Sequence, residues 1–274
     1  MTWSKANFDG MDFLLDRDFA LPLNLENELN PAPPQVKMAM SVKQPMPDFH
    51  LSFNVAPSHK KVVENRERIC GAYGEKLSDC VVAEQSHRSE VAIVANEDRG
   101  KGAFSSETAI PGCDALITNV PKLNLCITVA DCLPVYFFDP VNQAIGLAHS
   151  GWGGTAGRIA QKTLNAMQVA FGTHSKNCRV AIGPGIGVEG YEVDDRVRDA
   201  FPEPEKSSNG FRQSSPGHWK LDLTQIVLEQ LLTSGIPTEN ISFSPWRTDT
   251  HPEMLYSHRR ENGCPRMLAL LKLN

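Results

Sequence analysis

The chain has 274 residues, of which 41% are hydrophobic and 22% are charged. These fractions are typical of globular domains and exclude disordered, collagen-like and coiled-coil proteins. Its 27 basic and 32 acidic residues give a net charge of −5, and no basic run is long enough to follow a phosphate backbone, so nucleic acid is not an expected partner. The apolar stretches fall short of the roughly 20 residues that cross a bilayer, and the acidic N-terminus does not fit a secretory signal. We therefore expect a cytoplasmic protein that does not bind membranes.

The cysteines are spread along the chain without a Cys-x-x-Cys pair. An odd number without paired spacing argues against a disulfide framework and for reduced thiols. Most of these thiols are expected to be small buried groups, and one of them is expected to take part in chemistry. The seven cysteines are Cys70, Cys80, Cys113, Cys126, Cys132, Cys178 and Cys264.

The first 50 residues are predicted to form an irregular, proline-rich arm that precedes a single domain over residues 51–274. Six of the nineteen prolines lie between Pro22 and Pro47. Proline lacks the backbone N–H that regular structure uses, so this composition predicts little helix.

Apolar residues at helical spacing, bounded by capping residues and glycines, predict three helices. They run from Ser58 to Gly74, from Thr155 to Gly172 and from Asp222 to Gly235.

Short runs rich in β-branched and aromatic residues predict strands between these helices. The segment 203–216 is rich in Pro, Ser, Lys and Gly and is predicted to be a loop. Because strands outnumber helices and follow one another directly, the order favours an α+β or layered sandwich over a repeating βαβ fold. The predicted strands are Cys80–Ala83, Val91–Val94, Ala115–Thr118, Leu125–Val129, Leu133–Phe138, Ala144–Ala148, Arg179–Ile182, Ile241–Ser244, Leu255–His258 and Met267–Leu271.

Three short segments at strand ends carry side chains that bind metals. A catalytic zinc site needs three protein ligands drawn from His, Cys and carboxylates, with the fourth position left to water. One Cys and two His would meet that number. Their separations of 45 and 17 residues do not match a zinc finger, so spacing alone favours a buried thiol and two hydrogen-bonded histidines over a metal site. The segments are Glu84-Gln85-Ser86-His87, Ala130-Asp131-Cys132-Leu133-Pro134 and Ala148-His149-Ser150-Gly151-Trp152.

Several motifs in the same order resemble the laccase-domain family, also called the multicopper polyphenol oxidase or purine nucleoside phosphorylase family. The resemblance runs from about Leu51 to the C-terminus. The motifs are Ser-Phe-Asn at 52–54, Glu-Asn-Arg at 64–66, Asp-Cys-Leu-Pro-Val at 131–135, Leu-Ala-His-Ser-Gly-Trp-Gly-Gly-Thr at 147–155, Gly-Pro-Gly-Ile-Gly at 183–187 with Tyr-Glu-Val at 191–193, and Tyr-Ser-His-Arg-Arg at 256–260.

This resemblance implies a single-domain α/β/β/α layered sandwich, similar to the catalytic domain of a bacterial toxin deamidase. It implies a metal bound by His87, Cys132 and His149, with zinc expected and copper as an alternative. It also implies a purine nucleoside phosphorylase with adenosine deaminase activity. The implied substrates are phosphate with adenosine, inosine, guanosine and methylthioadenosine.

The metal ligands and one neighbouring carboxylate are the candidate catalytic residues. A zinc ion with three protein ligands lowers the pKa of its bound water to about 7 and so supplies the hydroxide that deamination requires. Cys132 and His149 would hold this ion, and Asp131 is the candidate proton carrier.

The candidate substrate-binding residues are three arginines and two amides. Phosphorolysis needs phosphate held against C1′ of the ribose, and Arg66, Arg259 and Arg260 are candidate cationic donors. Asn54 and Gln85 are candidates for binding the ribose or the base through their amides. For each of these side chains, a surface ion pair or a loop-fixing role is the structural alternative.

The chain departs from the family at two positions near the expected site. Gly153 replaces the arginine of the usual Gly-Trp-Arg-Gly-Thr motif, so an anion site loses a planar, permanently charged group there. Arg88 replaces the glycine that usually follows the ligand histidine, and it is the candidate to restore that charge.

Other functions stay open on sequence grounds. A His and Cys site also suits copper, as in a laccase-like polyphenol oxidase, although the eight histidines include no His-x-His pair. Cys132 and His149 could instead be the nucleophile and base of a cysteine hydrolase. A paralogue that keeps a metal with reduced or no turnover is the alternative outside enzymes. The Gly-x-Gly-x-x-Gly pattern at 185–190 precedes an extended acidic segment and predicts a tight turn, not a dinucleotide site.

Overall fold

The computed structural model describes residues 3–16, 18–20, 36–46 and 48–274. The strands are β1 (Trp3–Phe8), β2 (Met11–Asp16), β3 (Val36–Ser41), β4 (Cys80–Val82), β5 (Val91–Ile93), β6 (Ala115–Thr118), β7 (Asn124–Val129), β8 (Leu133–Asp139), β9 (Ala144–Ser150), β10 (Arg179–Ile182), β11 (Glu192–Asp194), β12 (Phe211–Ser215), β13 (His218–Leu221), β14 (Ile241–Phe243) and β15 (Met267–Leu273). The helices are α1 (His59–Ala72), α2 (Trp152–Ala156), α3 (Ile159–Phe171), α4 (Asp195–Asp199), α5 (Glu203–Lys206), α6 (Leu223–Thr233) and α7 (His258–Glu261).

Most of the strands belong to two six-stranded sheets. The first sheet has the order β1-β2-β3-β15-β7-β4, and the second has the order β14-β10-β8-β9-β6-β5. A small sheet with the order β11-β13-β12 lies outside them. In the second sheet the antiparallel pair β8 and β9 places Pro134 opposite His149, which fixes the position of one predicted metal ligand.

Three apolar clusters show how the layers stack. Tyr136 of β8 and Leu271 of β15 belong to a core shared by the two large sheets. Phe137, the next residue in β8, belongs to a core with α3 and α6, because successive side chains of a strand point to opposite faces. Ile69 of α1 and Leu270 of β15 form the core on the far side of the first sheet. The predicted α+β class and the helix–sheet–sheet–helix layering are therefore observed, whereas the likeness to a toxin deamidase stays a prediction.

The expectation of an irregular arm is wrong for the described part of the first 50 residues. β1 and β2 form an antiparallel hairpin, and β3 pairs with both β2 and β15 in the first sheet. The hairpin turns at Asp9-Gly10, where both residues have positive φ, and this dipeptide is a strong two-residue turn signal. Most of the prolines behind the prediction lie in 21–35 or at position 47, outside the described residues.

Three further elements differ from their predictions. The helix predicted from Thr155 to Gly172 is two helices, because Arg158 adopts a left-handed conformation with φ of 59° between α2 and α3. The predicted loop 203–216 contains α5 and β12. The strand predicted over Leu255–His258 is wrong, since Ser257 caps α7 by accepting a hydrogen bond from the Arg260 N–H.

The remaining predicted helices begin at their expected caps. The Ser58 hydroxyl accepts a hydrogen bond from the Lys61 N–H at the start of α1, and the Asp222 carboxylate accepts one from the Gln225 N–H at the start of α6. No helix among the described residues has the length and apolarity of a membrane span.

Candidate metal centre

His87, Cys132 and His149 meet at one end of the second large sheet. Cys132 directly precedes β8, His149 lies on the adjacent β9, and His87 lies in the connection between β4 and β5. Their ligand atoms all lie within 4.8 Å of one another, and the two imidazole rings stand edge to face with centroids 4.9 Å apart. The fold thus brings together three side chains that are up to 62 residues apart in sequence.

Asp114, at the end of β6 and fully buried, holds both histidines. Its carboxylate lies 2.9 Å from Nδ1 of His149, which leaves Nε2 of that ring as the metal-facing nitrogen. The same carboxylate accepts hydrogen bonds from the backbone N–H groups of His87 and Arg88, at 3.0 and 2.8 Å, and from the Ser86 hydroxyl. A carboxylate that orients a ligand histidine is typical of protein metal sites.

The segment that carries His87 is held in a strained conformation. Gln85 and His87 both have positive φ, of 62° and 58°, a region that non-glycine residues seldom occupy. The Gln85 side chain fixes one end of this segment, since its Nε2 donates to the Thr128 carbonyl and its Oε1 accepts from the Thr128 N–H, both at 2.7 Å. Asp114 fixes the other end, so the ligand is preorganised.

Cys132 is an acidic thiol in this surrounding. Burial alone would raise its pKa, but the charges and hydrogen bonds of His149 and His87 outweigh burial and lower the pKa of Cys132 to about 6. Burial would likewise lower the pKa of His149, but the charge of Cys132 and the hydrogen bond to Asp114 raise it to about 9. Without a metal, the two side chains therefore form a thiolate–imidazolium pair near neutral pH.

The donor set fits a metal ion with an open coordination position. Two imidazoles and one thiolate are ligands for zinc and copper, and no fourth His, Cys, Asp or Glu joins the group among the residues that the structure describes. Three protein ligands with a free fourth position are typical of catalytic zinc, whereas structural zinc sites have four protein ligands.

Asp131 precedes Cys132 and has a positive φ of 83°. One carboxylate oxygen accepts a hydrogen bond from the Thr248 hydroxyl at 2.5 Å, and the other accepts one from the Arg259 N–H at 2.7 Å. Asp131 thereby fixes the chain next to the ligand.

A cavity of about 400 Å³ lies beside the segment that leads to His87, and Asn54, Arg66 and Gln85 all line it. Asn54 is exposed, whereas Arg66 is only 3% exposed. The Arg66 guanidinium donates through Nε to the Leu51 carbonyl and through Nη1 to the Gly102 and Ala103 carbonyls, and burial lowers its pKa to about 10. Three of the five predicted substrate-binding residues thus share one cavity, although the Gln85 amide is already engaged by Thr128.

The other two arginines are not among the residues that line this cavity. Arg259 is exposed, packs over the Tyr191 ring at 5.0 Å and donates to the Glu192 carbonyl. Arg260 donates to the carbonyls of Thr248 and Leu255, so it fixes the chain before α7. The five predicted substrate-binding residues therefore do not form one cluster.

Sequence reasoning missed Asp114 and assigned no role to Tyr191. Asp114 is the first residue before a predicted strand, and a carboxylate there, next to an apolar run, is the only local signal. Burial raises the pKa of Tyr191, and the charge of Cys132 adds to this effect. The support that Asp114 gives to the two histidines does not follow from spacing along the chain.

The layered fold is that of a mixed α+β protein, and its His-Cys-His group could hold a transition-metal ion. The chain belongs to the family described as multi-copper polyphenol oxidoreductase laccase, whose model matches residues 37–274.

Relatives with known names share most of the chain. The purine nucleoside phosphorylase YlmD of Geobacillus stearothermophilus is 38% identical over 232 residues, which are 84% of this chain and 85% of the relative. The protein of the same name from Bacillus subtilis is 34% identical over 81% of this chain and 80% of its own. The crystal structure of the Geobacillus stearothermophilus YlmD has a TM-score of 0.82 at 33% identity and covers 93% of this chain and 99% of its own. The crystal structure of the Bacillus licheniformis hypothetical protein YfiH has a TM-score of 0.83 at 32% identity and covers 88% of this chain and 93% of its own.

Proposed function

We propose that the protein is a zinc-dependent purine nucleoside phosphorylase that also deaminates adenosine, with adenosine, inosine, guanosine and methylthioadenosine as substrates. The observation that carries this proposal is the convergence of His87, Cys132 and His149 within 4.8 Å, without a fourth protein ligand among the described residues. The name that the relatives share, purine nucleoside phosphorylase, supports the substrate class.

The three ligands would hold the ion, and Asp114 would keep the His149 ring in the tautomer that presents Nε2. When bound, a zinc ion with an open position supplies Lewis acidity to water or substrate at that position. Asp131 remains the nominated proton carrier, since each of its carboxylate oxygens accepts one hydrogen bond and keeps a lone pair for a proton.

The cavity beside the segment that leads to His87, which Gln85 and Ser86 line, would receive the nucleoside. Its walls carry the Arg66 guanidinium, the carboxylates of Glu84 and Glu107, and the Asn54 amide. A mixture of donors and acceptors suits the hydroxyl groups of a ribose and the edge of a purine. The hydrogen bonds of Arg66 to the protein use Nε and Nη1, so Nη2 is the donor left for the ligand.

Phosphate would approach from the side of the exposed arginines. Arg259 is exposed and its backbone N–H is bonded to Asp131, next to Cys132. Arg88 is exposed and directly follows His87. One guanidinium group can donate two parallel hydrogen bonds to phosphate oxygens. We therefore propose Arg259 and Arg88 as the hydrogen-bond donors that hold phosphate, whereas Arg260 fixes the chain.

One experiment tests this function. Adenosine and inosine are incubated with the purified protein, with and without phosphate, and the products are separated by chromatography for the wild type and Cys132→Ala. We expect phosphate-dependent release of the base and phosphate-independent conversion of adenosine to inosine, both lost in the variant. No product from a zinc-loaded wild type would contradict the proposal and favour a paralogue without turnover.

The thiolate also suits copper, and the family description names copper oxidases. Copper-dependent oxidation of a phenol, without turnover of nucleosides, would replace the proposal by the laccase-like alternative. Turnover that survives complete metal removal would instead favour the Cys132–His149 pair as a nucleophile and base. The cytoplasmic location stays a prediction.

A further inference from the structure

We propose that the glycines at the start of α2 position the metal ligands, Gly151 for Cys132 and Gly153 for His87. This inference rests on the proposed metal site and adds two positioning residues to it. Neither glycine has a side chain that could touch a metal or a substrate. Their role would come from the space that a missing β-carbon leaves.

The first contact involves the ligand sulfur. A β-carbon placed on Gly151 would lie 2.7 Å from Sγ of Cys132 and 3.9 Å from Cδ2 of His87. Carbon and sulfur atoms that are not bonded do not approach so closely, so a side chain at 151 would turn the thiol away from its present position. The absence of that side chain lets the sulfur point at the two imidazoles.

The second contact involves the backbone of the other ligand. A β-carbon placed on Gly153 would lie 2.8 Å from the carbonyl oxygen of His87. Because this oxygen belongs to the backbone, rotation of a side chain cannot relieve the clash. Asp114 holds the same segment through the N–H groups of His87 and Arg88. The segment is therefore bonded to Asp114 and lies against the backbone of α2.

Gly154 continues the same surface. A β-carbon there would lie 3.1 Å from the Arg88 carbonyl oxygen and 3.2 Å from that of His149. The glycines of one short helix thus face all three ligand-bearing segments. In this backbone the β-carbon of an arginine at 153 would clash with the His87 carbonyl oxygen. Gly153→Arg would therefore displace His87 instead of adding an anion-binding group.

The test measures binding of Co²⁺ and Zn²⁺ to protein stripped of metal, in competition with a chromophoric chelator. For Gly153→Ala we expect at least about tenfold weaker binding, the loss typical of damage to the support of a ligand. Gly71→Ala is the matched control, because a β-carbon at Gly71 meets nothing within 4 Å, and its affinity should equal that of the wild type. Equal affinity of Gly153→Ala and the wild type would overturn the inference.

A double-mutant cycle checks that the effect passes through His87. Gly153→Ala should not weaken binding further in a His87→Ala background. An additive loss would show that Gly153 acts elsewhere. Gly151→Ala should differ in its spectrum, since its Co²⁺ complex should lose the thiolate-to-metal charge-transfer band that Gly153→Ala retains. An intact charge-transfer band in Gly151→Ala would show that Gly151 does not position the Cys132 sulfur.

Folding is monitored in the metal-free state by circular dichroism. The His87 segment is exposed, so the metal-free Gly153→Ala protein should unfold within a few degrees of the wild type. A variant that does not fold at all would contradict the inference, because the glycine would then serve the core. If the wild type itself binds no metal, the proposed function fails, whereas a metal-binding wild type with unaffected variants removes only this inference.

Discussion

Cys132 differs from most of the other thiols in the chain because of what surrounds it. Burial raises the pKa of Cys113 to about 12 and also raises the pKa of Cys178 and Cys264. The pKa of Cys132 is lowered to about 6 because the imidazoles of His149 and His87 interact with its thiolate. The sequence analysis expected one reactive thiol among buried ones, and the environment of Cys132 fits that expectation.

The first prediction concerns the pH range of this thiolate in metal-free protein. The stability that the thiolate contributes is complete above its ordinary pKa of 9.0 and is lost as the pH falls through about 6. The contribution of the His149 imidazolium is complete below its ordinary pKa of 6.5 and is lost as the pH rises through about 9. Ultraviolet thiolate absorbance should therefore disappear near pH 6 in the wild type and be missing from Cys132→Ala. A midpoint near pH 9 would contradict the ion pair.

Asp114→Asn should weaken metal binding by about 10- to 100-fold, because the amide cannot support both ligand histidines as the carboxylate does. Affinity for Zn²⁺ measured by chelator competition checks this. Asp199→Asn is the control, since the Asp199 side chain is 66% exposed. Unchanged affinity of Asp114→Asn would show that the carboxylate does not orient the ligands.

The three candidate metal ligands could be proposed from sequence because their motifs resemble a family, whereas the residues that support them could not. Asp114 reaches His149 because β6 and β9 pair with Ala115 opposite Ala148, and this pairing is a property of the assembled sheet. The closeness of Gly153 to the His87 carbonyl depends on two segments that are 66 positions apart. Local sequence patterns do not predict contacts between such distant segments.

At the scale of elements, caps and apolar runs predicted where most helices and strands begin. The break between α2 and α3 was missed because Gly157 was counted as part of one helix from Thr155 to Gly172, although glycine lowers helix propensity. The hairpin of β1 and β2 was missed because the prolines that follow it dominated the reading of the segment. A local signal was present in both cases. It was Gly157 for the break between the helices and Asp9-Gly10 for the hairpin.

Asp222→Ala should lower the free energy of unfolding by about 1 kcal/mol, because α6 loses the side chain that accepts a hydrogen bond from the Gln225 N–H. Urea denaturation of the metal-free protein measures this change. Asp222→Asn keeps the acceptor and should stay close to the wild type. Equal losses in both variants would point to the charge of Asp222 and not to its cap.

At the scale of the whole molecule, the N-terminal segment completes the core between the two large sheets. Phe19 is 2% exposed, and its ring lies 6.5 Å from Tyr136 and 6.2 Å from Phe138, both on β8. The Tyr136 hydroxyl donates to the Ala39 carbonyl on β3, which joins the two sheets directly. The described residues among the first 50 therefore contribute to the fold that positions the candidate metal centre.

Phe19→Ala should lower the free energy of unfolding by about 3–5 kcal/mol, the range for a large side chain removed from a core. Phe243→Ala is the matched control, since Phe243 is 53% exposed, and its effect should be much smaller. Thermal and urea unfolding measure both. A small loss for Phe19→Ala would mean that the segment is a dispensable arm, as its prolines suggested.

The central claim is that three distant side chains bind one metal ion. Elemental analysis of purified wild type, His87→Ala, Cys132→Ala and His149→Ala by plasma mass spectrometry tests it most directly. We expect close to one zinc ion per chain in the wild type and a loss of most of it in each variant. A wild type that binds no metal after incubation with zinc, or three variants that keep the full content, would show that these side chains do not form a metal site.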